Sequence, residues 1–117
     1  MSEQSDPQNV LRLTRKLGRE PNLSEALHIM QWELGDLAKS CTYIAWHPDL
    51  APAYRAEAKK ALGDLLFQAE VVAQLLNTTS AQAFISGIMT VEDRVEDLEK
   101  KIDRFKYYTG GKGEITP

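Results

Sequence analysis

Apolar residues recur along this chain every three or four positions and nowhere alternate strictly with polar ones, the periodicity of helices and not of strands. In the stretch DPQNVLRLTRKLG, Asp6 can cap, Pro7 suits a first helical position, Val10, Leu13 and Leu17 share a face, and Gly18 is a terminator. A short helix over 7–17 follows. Asn22, with Glu25 three residues on, makes a capping box for a second helix over 23–46, which the prolines of HPDLAP close. Leu23, Leu27, Met30, Leu34, Leu37, Cys41 and Ile44 repeat at alternating spacings of four and three, the seam of an antiparallel bundle or a coiled coil.

A third helix over 52–77 repeats the device with Tyr54, Ala58, Ala61, Leu65, Ala69, Val72 and Leu76. A fourth over 80–107, capped by NTTS, aligns Phe84, Ile88, Val91, Val95, Leu98, Ile102 and Phe105, with a break conceivable at Gly87 and Thr90. The expected fold is all-α: an up-and-down bundle in one domain over 1–108, with a flexible glycine-rich tail over 109–117. Ile29, Trp32, Tyr43, Trp46, Leu62, Leu66 and Phe67 form more apolar surface than one seam requires, so a homodimer or higher homo-oligomer is expected.

Composition narrows the class. No apolar run nears the roughly 20 residues that span a bilayer, the acidic start MSEQSDPQNV is no secretory signal, and a lone Cys41, read as a small hydrophobe, excludes an internal disulfide. The expectation is a cytoplasmic protein without a membrane partner. Net charge is −3 with no dense Lys/Arg block, so nucleic acid is not expected as a partner either.

Acids border both central seams. With Met30 at zero on a helical wheel, Glu33 falls at about −60° and Asp36 at about −120°. With Leu65 at zero, Glu57, Ala61, Asp64 and Gln68 lie between about −40° and −100°. Such carboxylates are ordinarily solvated flanking positions, but on neighbouring helices they can also converge on a hard cation such as Mg²⁺. Gly35 and Gly63, each preceding an aspartate, would let a ligand or a second backbone approach.

The phrases WELGDLAKS and KKALGDLLFQAEVVAQLL resemble the MazG-like group of all-α nucleoside triphosphate pyrophosphohydrolases. The hallmark of that group is Glu-Glu-x-x-Glu on one helix and Glu-x-x-Asp on the next. Here Trp32 stands at the first glutamate, Glu33 at the second, Asp36 at the third, Ala61 at the fourth and Asp64 at the closing aspartate, and 24 residues lie between Asp36 and Ala61, which fits. The resemblance implies a bundle from about 22 to 95, with Mg²⁺ held by Glu33, Asp36 and Asp64. It implies cleavage of a nucleoside triphosphate to monophosphate and pyrophosphate by an activated water.

Two of five carboxylates are replaced, which leaves a second expectation: a bundle without catalysis that binds or assembles. Glu57, one turn before Ala61, is a possible further ligand, or else a solvated acid near a helix start. Arg94 is the nearest match to the family's phosphate-binding cations, with Lys101 beyond it, although VEDRVEDLEKKIDR also reads as an exposed ion-paired face. Trp32 could stack a nucleobase, or belong to an interface between chains. His28 and His47 have no partner at metal-ligand spacing and read as surface or loop residues.

Overall fold

A computed structural model of the protein describes residues 6–108, and among them all regular structure is helical. The tail at 109–117 lies outside the described residues. Asp6 accepts from the Gln8 amide at 2.9 Å and opens a 3₁₀ turn over Pro7–Asn9, which runs into α1 (Val10–Lys16). Gly18, at a φ of +83°, ends α1. Its amide donates to the Arg15 carbonyl and that of Arg19 to Thr14, a Schellman closure that only a left-handed residue permits.

Helix α2 (Leu23–Trp46) starts where the capping box places it, with the Glu25 amide donating to Asn22 Oδ1 at 2.8 Å. A 3₁₀ turn at Pro48–Leu50 reverses the chain into α3 (Ala51–Leu75), which lies along α2 as a hairpin, while α1 packs on α3. Asn77, at a φ of +62°, closes α3 with a second Schellman pair, Asn77 to Gln74 and Thr78 to Ala73. Here NTTS ends one helix as well as preceding the next.

On α2 the hairpin seam differs from the expected one. Ala26 and Ser40 are the buried positions of α2, with Met30, Leu37 and Ile44 half-buried; Leu23, Leu27, Leu34 and Cys41 are exposed. On α3 the expected seam residues Ala58 and Ala61 are buried, with Gln68 beside them, and Leu76 is exposed; Leu62 and Leu66, expected outside the seam, are exposed. Small side chains let the two backbones approach, and the leucines that hydropathy favours point outward. The small apolar core, Val10, Ala26 and Val71 with Leu11, Phe67, Val72 and Leu75 against it, lies where α1 meets the start of α2 and the end of α3. In α1, Thr14 and not Leu17 completes the buried face, its hydroxyl donating to the Val10 carbonyl at 2.8 Å.

The chain divides into two compact units, the first ending at Ser80 and the second beginning at Ala81. Helix α4 (Ser80–Tyr108) crosses Gly87 and Thr90 without the expected break: the Thr90 hydroxyl donates back to the Ser86 carbonyl at 3.0 Å instead of capping a new turn. At the end of the first unit, Glu70, 6% exposed, accepts from the Ser80 hydroxyl at 2.7 Å, from the Ser80 amide and from Gln74, whose amide also donates to the Pro7 carbonyl. One buried carboxylate thereby joins the end of α3 to the first residue of α4.

Gly35 and Gly63 are not sites of close approach within the chain, because a Cβ at either would meet nothing within 4 Å. Each pays the helix cost of glycine without a packing return. Gly35→Ala and Gly63→Ala are therefore expected to raise stability by about 0.5–1 kcal/mol each, read as the denaturation midpoint. A loss of stability at either position would show that a second chain packs there.

Candidate functional site

Beyond the apolar core, α2 and α3 flank an open cleft of about 600 Å³, within the range of small-molecule sites. Glu33, Asp36, Ser40 and Tyr43 reach it from α2, and Tyr54, Glu57, Ala61 and Asp64 from α3, with Lys39 and Lys60 completing the lining. The geometry follows from register. On each helix the lining residues are three or four apart, hence on one flank, and the turn at Pro48–Leu50 brings the two flanks face to face.

The four expected carboxylates, Glu33, Asp36, Asp64 and Glu57, thus share one cleft. Among the described residues, however, no group of three or more acids, histidines or cysteines is drawn together closely enough to form a ready metal cage. The charges still interact. Glu33 holds its proton more tightly than a free glutamate, first because partial burial penalises its charge, then because Asp64 and Asp36 repel it; Lys60 pulls the other way.

The sign of the resulting pH dependence is definite. Folded protein binds this proton more tightly than unfolded, so Glu33 contributes most below its ordinary pKa of 4.5 and its contribution is lost as pH rises through the raised folded value. Glu33→Gln is expected to raise stability at neutral pH by less than about 1 kcal/mol in so open a cleft, seen as a higher melting temperature, and to leave it unchanged below pH 4.5. Thermal melts across that window decide it: an equal gain at all pH values would mean that charge is not the cause.

At the turn end of the cleft, Tyr43 and Tyr54 meet edge to face with centroids 5.3 Å apart; His47 and Trp46 pack on Tyr43, and Lys39 Nζ lies 5.7 Å from its ring. From sequence, His47 reads as a surface or loop residue and Tyr54 as part of the α3 seam, and no role is assigned to Lys39 or Lys60. The signal was present: Tyr43 and Tyr54 continue the series Glu33–Asp36–Ser40 and Ala61–Asp64 by a helical step toward the turn.

Trp32 lies elsewhere. It is 70% exposed, beside His28 and Ile29 in a shallow depression with Arg19, Asn22 and Glu25. Arg94 and Lys101 belong to α4 in the second unit, where they flank a groove with Lys100 and Arg104; Lys100 pairs with Glu96 at 3.2 Å. Ala61, in place of the family's fourth glutamate, is buried between α2 and α3. A glutamate there would add a further negative charge beside Glu33, Asp36 and Asp64.

No family model matches the chain, and no curated protein or solved structure matches it. Among the described residues no helix is long and apolar enough to cross a membrane.

Proposed function

We propose that this chain is a divergent MazG-like nucleoside triphosphate pyrophosphohydrolase that requires Mg²⁺. The observation that carries the reading is the cleft itself, where the motif acids Glu33, Asp36 and Asp64 line one cavity with Glu57 and two lysines. This donor set suits a hard cation: oxygen ligands only, mutual repulsion that a cation would relieve, and room for the waters that Mg²⁺ keeps. When bound, the ion supplies charge neutralisation on the phosphates and acidifies water. The chain's own part is to hold a triphosphate between Lys39 and Lys60, to offer the Tyr43 and Tyr54 rings to a base, and to keep Glu33, Asp36 and Asp64 negative beside the reacting anhydride. Homodimerisation through the exposed leucines of α2 and α3 is part of the same reading.

The second reading, a bundle that binds or assembles without turnover, is favoured by one observation: the acids do not form a compact ligand group. A pyrophosphate assay with each nucleoside and deoxynucleoside triphosphate in Mg²⁺ separates the two. Pyrophosphate release supports the enzyme; no release from any of them, together with no Mg²⁺-dependent nucleotide binding by calorimetry, leaves the second reading.

A further inference from the structure

Within its own unit, and among the described residues, helix α4 presents an apolar seam on which no other helix packs. Every described side chain from Ala81 to Lys101 is exposed, Phe84 at 70%, Val91 at 54% and Leu98 at 56% among them. A helix on its own gains too little from propensity to leave three heptads of apolar surface in water. Placed in a heptad, the seam puts Ile88, Val95 and Ile102 at the a positions and Phe84, Val91, Leu98 and Phe105 at d. Residues branched at the β-carbon at every a position favour parallel two-stranded coiled coils, and at d the leucine that such pairs prefer stands at Leu98, with Phe84, Val91 and Phe105 at the other turns.

The flanking charges select the partner and its direction. Ile85, Glu92, Glu99 and Lys106 occupy e, and Gly87, Arg94 and Lys101 occupy g. In a parallel pair, g of one helix faces the following e of the other, so Arg94 meets the partner's Glu99 on both sides of the two-fold axis. Lys101 then faces the partner's Lys106 in the last turn, a weaker opposition near the helix end. In an antiparallel pair, e faces e and g faces g: through the middle of the seam glutamate meets glutamate, and arginine meets arginine or lysine, with Ile85 and Lys106 at its two ends.

We infer that α4 of one chain pairs with α4 of a second copy as a parallel, in-register coiled coil. The inference does not depend on the enzymatic reading. It calls for a two-fold interface on α4 whatever the cleft does.

Sedimentation equilibrium on the full chain tests it, with circular dichroism to show that each variant keeps its helices. Arg94→Glu is expected to weaken dimerisation about tenfold, and Arg94→Glu with Glu99→Arg to restore it. In an antiparallel pair the single change would be neutral or would tighten binding. Leu98→Cys in a Cys41→Ser background is expected to form an interchain disulfide on mild oxidation, because only the parallel pair sets the two positions opposite one another. A monomer throughout, a dimer that Arg94→Glu leaves unchanged or tightens, a double swap that does not restore pairing, or Leu98→Cys chains that stay uncrosslinked would each overturn it.

Discussion

On the proposed reading as a Mg²⁺-dependent pyrophosphohydrolase, Asp64→Asn is expected to lower pyrophosphate release by on the order of a hundredfold, with a melting temperature equal to or slightly above that of the unaltered chain. The two halves of this result come from different physics. Asp64 is exposed in an open cleft and its charge is one of the causes that raise the proton affinity of Glu33, so removing it relieves repulsion and costs no packing. Its carboxylate is nonetheless the closing acid of the motif and faces Glu33 and Asp36 across the cleft. A variant that loses activity by unfolding would lose the melting temperature as well. Activity that survives Asp64→Asn would remove the assigned ligand set even if the enzyme reading stood, and Glu57→Gln would be the next substitution to measure.

Glu70→Ala is expected to destabilise the fold by roughly 2 kcal/mol, read from chemical denaturation. Its carboxylate accepts from the Ser80 hydroxyl, the Ser80 amide and Gln74, and it is nearly fully buried. Truncation leaves those donors without their acceptor and empties the space that the side chain filled. Gln74 would keep its bond to the Pro7 carbonyl, so α1 should remain docked while the start of α4 loosens. Protection of the Ser80 amide from hydrogen exchange should fall in the variant, and an unchanged rate there would show that the bond contributes nothing.

Both expectations rest on residues that the sequence disclosed unequally. Helix ends were legible because caps are local: Asn22 with Glu25, Gly18, and the prolines at 48 and 52 act within a turn of their own positions. The pairing of Glu33 and Asp36 with Asp64 was legible too, since a short reversal between two helices of known phase leaves few ways to face them. Glu70 was not. A glutamate in a helix reads as solvated until the chain ten residues later returns a hydroxyl and an amide to it. The α2 side of the hairpin seam was misread for a related reason, while Ala58 and Ala61 of α3 lie where expected: hydropathy ranks leucine above alanine, whereas close helix packing ranks by size, and nothing in a period of three and four separates the two.

That small-residue seam has a consequence for how this protein tolerates change. In most helical proteins a saturation scan finds its sensitive positions among leucines and its permissive ones among alanines. Within this hairpin the order should be inverted: Ala26 and Ala58 are buried in the contact and tolerate little growth, while Leu27, Leu34 and Leu62, turned outward, can shrink without opening a cavity inside the chain. A substitution map that follows this inversion would mark the α2–α3 contact without any structure being measured. Leucines in that map as intolerant as the alanines would outline the footprint of whatever covers the outer face.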